Sequence, residues 1–230
     1  MHTRQLIPLA MLSNPWFAGL PESIQRALVD AGDRLSIRAG EMLYRQGDAP
    51  SGFIGVASGT FKVSTLREDG KEGILAVMEA GNWFGEISLF DGMARPHDVT
   101  ALEAAEVIVV GFTAFERLLE SPAFARAMSL LLARRVRLLY GLVEDAMLRS
   151  MRTRVARRLL ALAHGDATLS SDTRLEVPVS QEALAMMLGI TRQTLSKELK
   201  TLARDGVLRL AYGRIEISSP QALKAIAAWR

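Results

Sequence analysis

From Ser121 to Ser150 the chain reads as one long amphipathic helix, and that helix limits what the rest can fold into. Ser121 offers a hydroxyl to an orphan N–H, and the ring of Pro122 suits a first helical position. Leu132, Val136, Leu139, Val143 and Ala146 then recur at alternating spacings of four and three. This is a heptad seam with valine at the a positions and leucine at two of the d positions, the pattern of a parallel two-stranded coiled coil. Leu130, Leu131, Leu138 and Leu142 supply a second apolar stripe. A helix apolar on two sides needs two partners. The seam is predicted to face a second copy of the chain and the other stripe the chain's own N-terminal domain; a core helix packed within one chain is the competing arrangement.

At 230 residues the chain can bury two cores. With no cysteine, disulfide scaffolds, thiolate zinc sites and iron–sulfur clusters are excluded. His2, His97 and His164 lie far apart in sequence, so no metal site is expected and a metal-dependent enzyme is disfavoured. No apolar run approaches the roughly 18–20 residues of a membrane span. Arg4 before Leu6–Leu12 hints at a leader, but Pro8 interrupts it and no cleavage site follows, so the expected location is the cytoplasm. Charge is uneven. Residues 149–230 hold 14 Lys and Arg against 7 Asp and Glu, whereas residues 1–148 hold 14 against 18. A basic C-terminal third suggests a polyanion partner, although basic helix faces are often merely solvated.

Pro15 to Ala31 is predicted as a helical entry, with Trp16, Phe17, Leu20, Ile24 and Leu28 facing a core. Glycines then punctuate short β-type runs at Met42–Arg45, Phe53–Ala57, Phe61–Leu66, Ile74–Met78 and Val107–Phe112, with a hairpin turn at Asp69-Gly70. Such texture predicts a β-barrel or roll. Thr113 and Glu116 have capping-box spacing ahead of a further helix. Within Trp83–Arg95, Gly85 permits close backbone approach, and a following helical turn would offer the N–H groups of Glu86, Ile87 and Ser88 to an anion. Arg95 can complete a charge-assisted clamp, and Glu86 can accept from ribose hydroxyls. A β-turn with a surface arginine is the plainer alternative. His97 and Asp98 read as a solvent-facing pair.

The C-terminal third carries a second pattern. Beyond a hinge near Arg149–Arg152, Val155, Leu159, Leu160 and Leu162 form an apolar stripe, with Arg152, Arg154, Arg157 and Arg158 on the other faces. Ala167–Arg174 is a polar connector and Leu175–Val179 a β-like lead-in. Ser180 caps a helix with Ala183, Leu184, Met187 and Leu188 inward, Gly189 turns the chain, and Thr191 caps a second with Leu195, Leu199 and Leu202 inward. Ala185, Gly189 and Leu195 have helix-turn-helix spacing. The outward face bears Arg192, Gln193, Ser196, Lys197 and Lys200, residue types that read bases and hold phosphates. Val207–Ile217, turning at Tyr212-Gly213, is predicted as a β-wing, with Arg209 and Arg214 as DNA-backbone candidates.

Gly40-Glu41, Gln46-Gly47-Asp48, Ser58-Gly59, Asp69-Gly70, Phe84-Gly85-Glu86 and Arg95, followed by this helical pair, resemble the Crp–Fnr superfamily of bacterial transcription regulators over residues 15–220. The resemblance implies an α+β chain: a cyclic-nucleotide-binding-type β-roll over 1–120, a dimerisation helix and hinge over 121–150, and a winged helix-turn-helix over 151–230. It implies a homodimer on a two-fold-symmetric double-stranded DNA site, with RNA polymerase as a further partner and a cyclic nucleotide (cAMP or cGMP) as leading ligand. Gly85, Glu86, Ile87, Ser88 and Arg95 would hold phosphate and ribose. Two departures stand out. The cyclic-AMP pattern has serine after the arginine, where Pro96 here offers neither hydroxyl nor N–H. It has a Thr-Ser pair reading adenine on the central helix, where ungapped alignment puts Leu139 and Tyr140. Cyclic di-GMP, another anion, or a vestigial pocket therefore stand as alternatives. Haem sensing fits poorly, with His97 the sole internal ligand candidate. Arg192, Gln193 and Lys197 take the base-reading places where the cyclic-AMP receptor has Arg, Glu and Arg, so a related but distinct half-site is expected.

Overall fold

The computed structural model describes residues 6–166 and 174–228. Two compact units emerge, one comprising the described residues up to Thr65 with Leu75–Arg135, the other Leu66–Ile74 with the described residues from Val136 onward.

The first unit opens with α1 (Leu9–Leu12), α2 (Pro15–Ala18) and α3 (Glu22–Asp30). The single entry predicted over Pro15–Ala31 is thus broken, because Pro21 lacks the N–H a continuous helix needs. Asn14 caps α2, its side chain accepting from the N–H groups of Trp16 (2.9 Å) and Phe17 (3.2 Å). Trp16, Phe17, Leu20 and Leu28 are buried as predicted, with Ile24 packed against them.

Eight strands follow: β1 (Gly32–Ile37), β2 (Met42–Tyr44), β3 (Phe53–Ser58), β4 (Thr60–Leu66), β5 (Glu72–Glu79), β6 (Trp83–Phe84), β7 (Asp98–Ala101) and β8 (Ala105–Val110). They form two four-stranded sheets, ordered β1-β8-β3-β6 and β2-β7-β4-β5. Short α4 (Glu86–Asp91) lies between β6 and β7. Phe112, predicted as a strand end, instead begins α5 (Phe112–Leu119). The Thr113–Glu116 capping box does not form. The helix starts earlier, at extended Gly111, whose carbonyl accepts from the N–H groups of Ala114 and Phe115, with no side-chain cap.

Helix α6 runs from Pro122 to Leu148, 27 residues and so about 40 Å. Its first turns complete the first core through Phe124, Met128 and Leu131, and the Trp16 indole N–H donates to the Ala127 carbonyl at 2.9 Å. The packed stripe therefore differs from the predicted one. Of Leu130, Leu131, Leu138 and Leu142 only Leu131 is buried. Phe124, Met128, Leu131 and Arg135 lie four, three and four apart, so the domain engages one face of the early turns only.

In the second unit Ser150 caps α7 (Met151–Ala163), its hydroxyl accepting from the Thr153 N–H. Then come β9 (Glu176–Val177), α8 (Gln181–Leu188), α9 (Arg192–Arg204), β10 (Leu208–Ala211), β11 (Arg214–Ile217) and α10 (Pro220–Ala228). The three strands form a sheet ordered β10-β11-β9. The Ala167–Arg174 connector lies, apart from Arg174, outside the described residues. Val155, Leu159 and Leu162 are buried as the stripe predicts. Arg158 is not on an outer face: it is buried and grips Asp166 through two hydrogen bonds, at 2.8 and 3.1 Å. Among the described residues no helix is long and apolar enough to cross a membrane.

Candidate functional site

Two places carry chemistry, one in each unit. In the first, β6 delivers the chain to Gly85, which turns it at φ +93°. A Cβ there would come within 2.9 Å of Arg95 Nη1 and 3.0 Å of the Gly52 carbonyl, so only glycine fits. Helix α4 starts at once, leaving the first-turn N–H groups of Glu86, Ile87 and Ser88 without partners inside the helix.

The Glu86 side chain is fully buried and forms an ion pair with Arg135 of α6, whose other terminal nitrogen donates to the Trp83 carbonyl. Neither Glu86 oxygen has a hydrogen-bond donor in line. Arg135 escaped the sequence reading. The signal available was its place on the face shared with Phe124, Met128 and Leu131, where a charge needs a buried counter-charge.

Arg95, the predicted anion clamp, is 2% exposed and so is not the surface arginine of the plainer alternative. Its Nη1 donates to the Gly85 carbonyl (2.7 Å), while Nη2 donates to the Gly52 carbonyl (2.8 Å) and Ser51 Oγ (3.2 Å). The guanidinium thus staples the Gly85 turn to the 51–52 turn. Its buried Nε–H has no partner among the described residues. Burial lowers its pKa, with Tyr44, Glu86 and Asp48 opposing. The Tyr44 ring lies under it, 4.4 Å from the guanidinium carbon. The Ser88 hydroxyl donates to the Ala94 carbonyl at 3.3 Å. Ile87 and Pro96 are exposed. His97, expected in solvent, is half-buried, and burial pushes its pKa down. Leu139 and Tyr140 lie beyond Arg135, in the second unit, and both are exposed. Among the described residues no cluster of His, Cys, Asp or Glu could hold a metal ion.

The second place is built by α8 and α9. Ser180 accepts from the Ala183 N–H (3.1 Å) and Thr191 from the Thr194 N–H (3.2 Å), the two predicted caps. The Ser180 hydroxyl keeps an O–H able to donate elsewhere, while the Thr191 hydroxyl also shares a hydrogen bond with the Thr194 hydroxyl at 2.9 Å. Gly189 adopts φ +65°, the Ile190 N–H bonds to Ala185 O and the Gly189 N–H to Met186 O, closing α8 in a Schellman turn. Leu195, Leu199 and Leu202 are fully buried, leaving Arg192, Gln193, Thr194, Lys197 and Lys200 exposed and Ser196 at the margin.

Most arginines nearby are committed within the protein. Arg152 pairs with Asp205 (2.6 Å), Arg157 with Asp145 (2.7 Å) and Arg158 with Asp166, while Arg154 caps α8 at the Leu188 carbonyl (2.7 Å). On the wing, Arg209 pairs with Glu216, and Arg214 lies between Glu176 (3.0 Å) and Glu216 (3.5 Å). The side chains of Arg192, Lys197 and Lys200 pair with no described residue.

The cyclic nucleotide-binding domain family matches residues 34–121, and the Crp-like helix-turn-helix domain family matches residues 153–226. The chain is 32% identical over 219 residues to the cyclic AMP receptor protein of Thermus thermophilus, covering 94% of this chain and 98% of that protein. It is 26% identical over 209 residues to a CRP-like cAMP-activated global transcriptional regulator of Mycobacterium tuberculosis, covering 90% and 93%. The fold is similar to that of FixK2 from Bradyrhizobium japonicum, with a TM-score of 0.76 at 21% identity, covering 86% of this chain and 98% of that one.

Proposed function

This chain belongs to the CRP/FNR family of DNA-binding transcription regulators, a family of regulators and not of enzymes, and from that premise we propose that it works as a homodimer whose DNA affinity is set by a cyclic nucleotide held at the Gly85 turn. The observation that carries the reading is how charge is used in the second unit. Arginines on α7 and the wing are tied to carboxylates or carbonyls, whereas Arg192, Lys197 and Lys200, on one exposed helix face, pair with no described residue. A buried helix gains nothing from such a face; a duplex groove does.

Arg192 and Gln193, in the first turn of α9, reach base edges, and Lys197 follows one turn later. Arg192 pairs bidentately with guanine, and Gln193, which donates and accepts, suits adenine. Ser196 and Lys200, with the free O–H of Ser180 and the Thr191 hydroxyl, which shares a hydrogen bond with the Thr194 hydroxyl, serve phosphates. Arg214 contributes only by leaving Glu176 and Glu216. Half-site centres then lie about 34 Å apart. Arg192→Ala should cost about 1–3 kcal/mol on the selected operator and much less on random DNA at the same salt. Equal losses on both would mark Arg192 as a phosphate contact.

At the ligand end, Glu86 offers two acceptor oxygens to ribose hydroxyls, and Arg95 Nε–H with the first-turn amides of α4 offers donors to phosphate. Arg135 joins Glu86 to α6, so a ligand engaging Glu86 acts on the helix proposed to form the dimer. The switch requires only that ligand bind two states unequally. Two relatives are named for cyclic AMP, which supports a cyclic nucleotide first. Calorimetry against cyclic AMP, cyclic GMP and cyclic di-GMP, paired with operator titrations at fixed salt, tests it. One cyclic mononucleotide should bind and change DNA affinity by fivefold or more. Binding by cyclic di-GMP alone would replace the ligand, and no binding with undiminished DNA affinity would mark a ligand-independent regulator. RNA polymerase as a partner is inferred from the family alone.

A further inference from the structure

Tyr44 stands on β2 opposite Val99, and its ring packs against two neighbours. The Arg95 guanidinium lies over the ring at 4.4 Å, and Phe84 abuts it at 6.4 Å with a 50° tilt. Phe61 in turn supports Phe84 at 6.4 Å. The phenol is thus held in place, and its one polar handle is spare: the hydroxyl makes no hydrogen bond with any described residue.

The surroundings explain what that hydroxyl can do. Burial pushes its pKa up to about 12, opposed by Arg95 and Arg135 and reinforced by Glu86, so near neutral pH it is a donor. The nearby carboxylate, Glu86, is ion-paired with Arg135 and makes no hydrogen bond with the Tyr44 hydroxyl. Arg95 Nε–H, on a side chain all but fully buried, also lacks an acceptor. Two donors at the Gly85 turn, the Tyr44 hydroxyl and Arg95 Nε–H, thus stand without an acceptor among the described residues, and an anionic oxygen can take a hydrogen bond from each. Pro96, next along from Arg95, brings no donor of its own.

We propose that Tyr44 is a ligand-contacting residue of this site, its hydroxyl donating to an exocyclic phosphate oxygen of the bound nucleotide while its ring holds Arg95 in place. This rests on reading the site as a cyclic-nucleotide pocket. It adds a contact from β2, outside the Gly85–Arg95 segment.

The test uses the 230-residue chain and its Tyr44→Phe variant, which keeps the ring under Arg95 and removes only the hydroxyl. Calorimetry with cyclic AMP and cyclic GMP should show about a tenfold or larger loss for the nucleotide the wild type prefers, with the melting temperature unchanged. Phosphorothioate diastereomers of that nucleotide, each replacing one exocyclic oxygen by sulfur, locate the contact. The wild type should discriminate between them, and Tyr44→Phe should lose most of that discrimination. Equal affinities of wild type and Tyr44→Phe overturn the proposal. A loss that is the same for both diastereomers overturns the phosphate contact. If the wild type binds neither nucleotide, the pocket reading itself fails, an outcome distinct from both.

Discussion

Asp166→Asn should lower the stability of the C-terminal unit by about 3–5 kcal/mol, the usual cost of leaving one member of a buried ion pair uncompensated. Arg158 and Asp166 are both buried and joined by two parallel hydrogen bonds, and Arg158 Nε already lacks a partner. Asparagine suits the position sterically, because Asp166 sits at φ +48°, a region asparagine tolerates. The change therefore isolates the charge. For a unit of this size the loss corresponds to a fall in melting temperature on the order of 20 °C, read by scanning calorimetry as a separate, earlier transition. Arg158→Met with Asp166→Asn should recover most of it, since no unpaired charge is then buried. A single variant that melts like wild type would show that the pair contributes nothing.

That pair also shows where sequence reading stops. The α7 stripe was legible because Val155, Leu159 and Leu162 repeat with helical period. By the same logic all four α7 arginines, Arg152, Arg154, Arg157 and Arg158, are assigned to the outer faces. Nothing local to α7 tells Arg158, which finds Asp166 after the helix ends, from its neighbours. The net charge of the last third was legible too, but its availability was not, because pairing partners such as Asp145, Asp205 and Glu176 are distant in sequence. The helix-turn-helix was clear for the opposite reason. Ser180, Gly189 and Thr191 act on the backbone within three residues of themselves, so their roles follow from spacing alone.

In the first unit the glycine-bounded apolar strands were visible, while β1 was not. Its sequence, Gly-Asp-Arg-Leu-Ser-Ile, is mostly polar and exposed, and it is a strand because β8 pairs with it along its length. Gly32 is needed there, since a Cβ would meet the Ile108 side chain at 2.3 Å. The Gly85 turn was legible from its glycine, but its lining was divided. Glu86 and Arg95 lie in the motif, whereas Tyr44, Ser51, Gly52 and Arg135 come from three other segments that only the fold brings together.

The second large effect concerns α6. Val136, Leu139 and Val143 are 48%, 60% and 54% exposed in the single chain, at heptad spacing, with Ala146 exposed beyond them. In a two-stranded seam each buried Val or Leu contributes about 1.5–3 kcal/mol, so charges placed there should be decisive. Val136→Glu with Val143→Glu brings four carboxylates into the seam of a dimer, each desolvated and unpaired. Sedimentation at micromolar protein should show single subunits. Operator affinity should fall by about a hundred- to ten-thousandfold, because the second half-site no longer binds at the effective concentration the first provides. Arg134→Glu changes charge more strongly per site, but Arg134 lies off the seam, so that variant should stay dimeric and keep most of its operator affinity. A doubly substituted protein that still sediments as a dimer and holds its operator would remove the seam from the account, and with it the route by which Glu86 and Arg135 are proposed to reach the two reading helices.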